Sequence, residues 1–211
     1  MIAIGGRLQW HALLLAAASI AIAGCGAVPV QHYYVLTPLD ATTSNAKPAN
    51  AGPPAIAIFV DKVHVPDIVD RPQLVIGTGD NSVTILEQQR WAEPLRVAIA
   101  EVVALDLARL IDGARVSAAQ QISIPGDAWR LSLDVQRFES HPGDSVVIEV
   151  AWTLRRGDGE ANAVTGAAAV SRSGRSSARE TVAGTGYDAI AQAHSKALAD
   201  ISREIAAAVA R

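Results

Sequence analysis

The feature that most constrains this chain is an apolar run at residues 12–23, preceded by Arg7 and followed by Cys25. The run falls short of the roughly 20 apolar residues that a helix needs to cross a bilayer. A short positive segment followed by a short apolar one is instead the pattern of a secretory signal. A signal is cut away, so these residues contribute nothing to the mature core. The expected division is a signal peptide over 1–24, an N-terminal stretch with a short strand and linker over 25–54, and a folded domain over 55–211.

The run ends in Ile22-Ala23-Gly24-Cys25, which has the form of a bacterial lipobox: aliphatic, small, small, cysteine. Small residues let the peptidase fit the backbone before the cut between Gly24 and Cys25. The thiol is needed because it becomes the thioether that carries diacylglycerol. Cys25 is the only cysteine, so no intrachain disulfide can form, and lipidation gives the lone thiol a purpose. Diacylglycerol plus an N-acyl chain on Cys25 would bury many methylenes at about 0.8 kcal/mol each, a lasting tether. Gly26 follows the cysteine where enterobacterial-type lipoproteins kept at the inner membrane tend to have Asp. The expected location is therefore the periplasmic face of the outer membrane.

Removing residues 1–24 takes Arg7 from the 18 basic residues and leaves the 21 acidic ones, a net charge of −4. No basic run remains to neutralise a nucleic-acid backbone, which excludes nucleic acid as a main partner. Aromatic residues are only 4% of the chain, so Val, Ile, Leu and Ala must build the core.

Residues 32–38 read as a short strand stopped by Pro38, and 40–54 as a loop by composition. Residues 55–65 are apolar on alternate and intervening positions, which predicts a strand covered on both faces. Residues 74–76 and 83–86 predict a hairpin around the loop 77–82. A helix is predicted over 93–111, with Leu95, Ile99, Val102, Val103, Leu107 and Leu110 on one face. Pro94 would lie in its first turn and Gly113 at its C-cap. Asp106 falls inside the apolar arc, and pairing with a nearby backbone group or Arg109 is the expected account. Strands at 128–138, 145–154 and 161–173 would form an antiparallel meander. The Ser-, Gly- and Arg-rich stretch 172–179 reads as a solvated loop, with an anion site as the alternative. A helix over 187–210 carries the stripe Ile190, Ala197, Leu198, Ile201, Ile205 and Val209. The fold class is α/β in the α+β sense: one domain, mostly antiparallel sheet, two main helices packed on it.

Three stretches taken together resemble a known family. Tyr33-Tyr34-Val35-Leu36 lies shortly after Cys25. Val65-Pro66-Asp67-Ile68-Val69-Asp70-Arg71-Pro72-Gln73-Leu74-Val75 follows the first long strand. Arg90-Trp91-Ala92-Glu93-Pro94-Leu95 precedes and opens the first helix. Their order and spacing are similar to those of PqiC or YmbA-like lipoproteins, the ABC-type transport auxiliary lipoproteins. One departure is Ile76-Gly77, where the family favours a more polar continuation. The resemblance implies an outer-membrane, non-catalytic docking subunit for an MCE-domain, PqiB-like envelope protein in intermembrane phospholipid transport, supporting envelope integrity. It also implies a ring or other homo-oligomer.

Read physically, Pro66 and Pro72 stiffen the loop between them. Asp70 and Arg71 can hold it by bonding backbone groups or the first helix. Asp70, Arg71, Pro72, Gln73, Trp91 and Glu93 read first as loop and helix-cap architecture, with the Trp91 ring able to cover the core edge. In the alternative they are the partner or subunit interface candidates, since Trp and Arg tend to anchor interfaces. No catalytic signature is found. His32, His64, His141 and His194 fall in different elements, there is no G-x-S-x-G elbow or P-loop, and no spacing suits a metal. His194 reads as packed core edge. No cofactor is expected beyond the covalent lipid. The alternatives are a lipid-binding periplasmic carrier, which needs an apolar cavity, and a periplasmic enzyme, which needs a deep polar pocket gathering His64, Asp70 and Arg71.

Overall fold

The computed structural model describes residues 29–40, 56–79, 81–118, 128–156 and 170–209. The chain divides into Met1–Val30 and Gln31–Arg211, and the architecture below belongs to the second unit. Cys25 and residues 1–24, expected above to be a signal peptide, lie outside the described residues.

The strands are β1 (His32–Tyr34), β2 (Ile56–His64), β3 (Gln73–Gly79), β4 (Ser82–Trp91), β5 (Ala114–Ser117), β6 (Trp129–His141), β7 (Ser145–Arg156) and β8 (Ser171–Thr181). Among the described residues the helices are α1 (Leu95–Leu110) and α2 (Tyr187–Val209). One sheet has the order β5-β2-β6-β7-β8, the other β1-β4-β3. β5, β2 and β6 run parallel, as do β1 and β4, while β3/β4, β6/β7 and β7/β8 are antiparallel. The fold is the expected α+β domain, with mixed sheets whose long ladders are the antiparallel ones.

The two helices pack on each other, α1 against β2 and β5 and α2 against β7 and β8. They therefore cover one face of the larger sheet. Strand periodicity explains why that face is the core. On β6, Leu131, Leu133 and Val135 are buried while Ser132, Asp134 and Gln136 turn away. On β7, Val146, Ile148, Val150, Trp152 and Leu154 do the same. All six residues of the predicted α2 stripe are buried.

Several boundaries differ from expectation. β2 is covered on both faces only near Phe59, since Lys62 and His64 are exposed. A bulge between Val60 and Lys62 shifts its register, which is why the inward set continues at Val63. β4 runs on to Trp91, because Gln89, Arg90 and Trp91 pair with β1. The helix therefore opens at Leu95, and Pro94 is its N-cap, its carbonyl accepting from the amides of Val97 and Ala98. The C-cap is Ile111, and Gly113 takes a φ of 70° in the turn into β5. β5 was not anticipated, being four residues long with no clear alternation.

The largest correction is at β8. The segment read as a solvated loop, 172–179, is strand. Residues 161–169 of the predicted strand lie outside the described residues. As a sheet edge with one face in the open, β8 needs only Ser176 and Ala178 buried. Gly174 pairs with Trp152, whose indole occupies the space above it: a Cβ there would stand 2.4 Å from the ring. The indole N–H donates to Ser176 Oγ at 3.2 Å.

The stretch after β1 is clasped by both helices. Leu36 is buried, and the Thr37 amide donates to Ser195 Oγ on α2 at 3.0 Å. The Leu39 amide donates to Asp106 Oδ1 on α1 at 2.7 Å, and Arg109 donates to the Leu39 carbonyl. Asp106 is thus satisfied by a backbone group, as expected of a carboxylate in an apolar arc. Burial raises its pKa, partly offset by the Leu39 amide, by Ser202 and by Arg109. Ser202 favours the carboxylate by proximity but falls short of hydrogen-bond geometry, leaving its hydroxyl and Asp106 Oδ2 without partners among the described residues.

Candidate functional site

The loop 66–72 joins β2 to β3 and is as rigid as its prolines suggest. The amides of Val69 and Asp70 donate to the Pro66 carbonyl at 2.9 and 3.1 Å, and Arg71 donates to the Val69 carbonyl at 2.8 Å. Val65 and Val69 are buried beneath it, while Ile68 is 45% exposed. The loop is thus pinned from below and shows an apolar side chain above.

Two contacts set its orientation. The Trp91 amide donates to the Pro72 carbonyl at 2.7 Å, and Arg96 on the first turn of α1 donates to Asp70 Oδ2 at 2.9 Å. Asp70 therefore holds the loop to the first helix, one of the two roles its chemistry allowed. Both partners are substantially solvated, so the pair adds at most about 1 kcal/mol and serves mainly to fix geometry. Gln73 donates to Glu87 at 3.2 Å. Arg71 is half-buried, with its Nε lacking a partner among the described residues. Burial, and then the nearby Glu101 carboxylate, raise the pKa of Glu93.

The pairing of Gln73 with Arg90 brings 70–73 beside 91–93, so the predicted candidates share one corner. Trp91 is the exception to a surface role. It is only 6% exposed, and its ring meets Phe138 edge-on at 6.1 Å and His194 at 6.2 Å. His194 lies flat on Phe138 at 3.9 Å and its Nε2 is 2.8 Å from Ser140 Oγ. Burial lowers the His194 pKa to about 3, so the ring is a neutral packing element. His194 is fully core, deeper than the core edge expected. Trp91 serves as the foundation of the corner. Arg96 and Ile68 were missed as members of it. Their signal was slight: Arg96 lies three residues after Glu93, and Ile68 is apolar inside a turn.

Beside this corner lies an open groove of about 1100 Å³ between β2, α1 and the polar face of β6 and β7. Lys62, His64, Arg96, Glu101 and Asp134 put both signs of charge on its walls, with Val63, Val97 and Ala100 between. It gathers His64 but neither Asp70 nor Arg71. Among the described residues, no three His, Cys, Asp or Glu side chains converge as a metal site. No described helix is long and apolar enough to cross a membrane.

The family model described as ABC-type transport auxiliary lipoprotein component matches residues 34–206. The chain belongs to this family. Two solved structures share its fold. One, described only as an uncharacterized protein, has a TM-score of 0.65 at 20% identity, covering 85% of this chain and 99% of its own. The other, a Xanthomonas campestris protein assigned to DUF330, has a TM-score of 0.55 at 18% identity, covering 84% and 94%. No curated protein matches the chain. As a transport auxiliary lipoprotein, the chain is associated with a transport system and with a membrane.

Proposed function

We propose that the chain is an outer-membrane lipoprotein, held by diacylglycerol and an N-acyl chain on Cys25, that serves as the non-catalytic docking subunit of an MCE-protein phospholipid transport system. The match to the auxiliary lipoprotein family over 34–206 carries this reading. The corner supports it, since exposed Ile68 stands in a loop held by its own backbone bonds, tied by Asp70 to Arg96 and by Pro72 to the buried Trp91. An exposed apolar residue on stiff backbone, flanked in the chain by charged ones, is a usual form of contact patch. The groove gives little support to the carrier alternative, because charged walls leave no dry channel for an acyl chain. Several copies are expected to assemble on one partner.

Co-purification with the MCE-domain protein in mild detergent tests the reading. Ile68→Asp together with Arg71→Ala should abolish recovery of the partner while leaving thermal unfolding nearly unchanged. Failure of the unaltered protein to recover any MCE-domain protein would overturn the docking role. Cys25→Ala should move the protein from the outer-membrane fraction to the soluble periplasm.

A further inference from the structure

The inference concerns β1 and rests on the lipid-anchored reading of Cys25. Only residues 26–31 separate that cysteine from β1. Fully extended, they place the first residue of β1 within about 25 Å of the lipidated position. From residue 26 to residue 39 the chain contains no Asp, Glu, Lys or Arg. In this stretch Tyr33 and Val35 are 60% and 54% exposed, while Tyr34 and Leu36 turn inward.

The exposed pair stands on fixed backbone. Tyr33 and Tyr34 are paired to Arg90 and Trp91 of β4. The Tyr34 hydroxyl donates to Gln89 at 2.6 Å, its carbonyl accepts from the Ala92 amide at 2.8 Å, and its ring meets Tyr187 edge-on. The bonds of Thr37 and Leu39 hold the other end. Two side chains that could have been polar at no cost to the core are thus apolar and aromatic, held stiffly, close along the chain to a lipid.

We propose that Tyr33 and Val35 form a bilayer-contact face that rests at the headgroup–acyl boundary of the leaflet holding the Cys25 lipid. Tyrosine is suited to that boundary because its ring is apolar and its hydroxyl remains hydrated. No Asp, Glu, Lys or Arg lies over 26–39, so apart from His32, which alternates away from Tyr33 and Val35 along the strand, the segment carries no charged type whose desolvation would keep it in water. The contact is intramolecular once the lipid is inserted, so a small apolar area suffices to populate it. Its effect is to fix how the domain stands on the membrane.

Because lipidation consumes the only thiol, Tyr33→Cys or Val35→Cys would supply the sole labelling site in the mature lipoprotein. Each variant carries an environment-sensitive fluorophore and is reconstituted in phosphatidylethanolamine–phosphatidylglycerol vesicles. A blue shift and quenching by lipid-borne nitroxides are expected at 33 and 35 but not at Ser177→Cys on exposed β8. Vesicle-bound protein with an unshifted label at 33 and 35 would overturn this inference alone. A shift that grows with protein density and resists the lipid quencher would overturn it in favour of a second copy paired to β1. Protein that fails to bind vesicles and labels at Cys25 as well would overturn the lipid anchor and this inference together.

Discussion

Among the described strands, β1 and β8 each have a single hydrogen-bonded neighbour, and they treat their open sides in opposite ways. β8 shows Ser171, Ser173, Arg175, Ser177 and Arg179 to solvent, the charged and hydroxylated surface that keeps an edge from templating aggregation. β1 and the residue after it show His32, Tyr33 and Val35, with no Asp, Glu, Lys or Arg among them. The supports differ as well. β8 is held by a fit of shapes, the Trp152 indole over Gly174. β1 is held by polar clasps and, through β4, by Trp91 on the His194–Phe138 stack. An edge built to face water is defended by its own side chains; an edge left apolar is matched to whatever lies against it.

This contrast can be broken most forcefully at β8. Trp152→Ala empties the space over Gly174 and should cost about 3–5 kcal/mol, read as a lowered midpoint in urea, with amides of β8 exchanging first. The β1 side should instead respond to acid. His194 is neutral when folded, with a pKa of about 3, whereas its unfolded form takes a proton near 6.5. Its contribution is intact above about pH 6.5 and declines as pH falls toward 3, by up to about 1.4 kcal/mol per unit. Hydrogen exchange should show β1 and β4 loosening before β7 and β8, and His194→Phe should flatten the profile. Equal loosening of all four strands would remove the distinction.

Smaller effects sharpen it. Asp106→Ala leaves the Leu39 amide without its acceptor and should cost about 1–3 kcal/mol. Asp106→Asn keeps an acceptor and removes the buried charge, so chemical denaturation near neutral pH should find it no less stable than the parent. Tyr33→Ser with Val35→Ser should change stability by less than about 0.5 kcal/mol, while shifting the domain's orientation on vesicles.

Legibility in the sequence followed the same divide. Where a segment buries one regular face, as at 131–135, 146–154 and along α2, periodicity alone identified the element and its inner residues. β8 defeated that reasoning because Gly174 resembles a loop residue until Trp152 is seen to need its missing side chain. Gly77, the departure from the family pattern, has a similar cause: a Cβ there would stand 2.8 Å from the His141 ring. At the candidate corner, the bond from the loop to the first helix was readable as one of two roles for Asp70, while the meeting of Pro72 with Trp91 was not, since it depends on the pairing of β3 with β4. The inward turn of Trp91 was one of two readings, since an amphipathic ring suits a surface and an interior alike, and only Phe138 and His194, distant in sequence, decide between them.

The clasp at Leu39 also governs how a load would travel. Tension arriving from the N-terminus meets the three residues of β1 first and the grip of Asp106 and Arg109 last. A pull strong enough to open those three ladder positions while Leu36 stays seated would lengthen the leash by about 10 Å. The helices then bear the strain side by side, giving the attachment some slack before the folded body is disturbed.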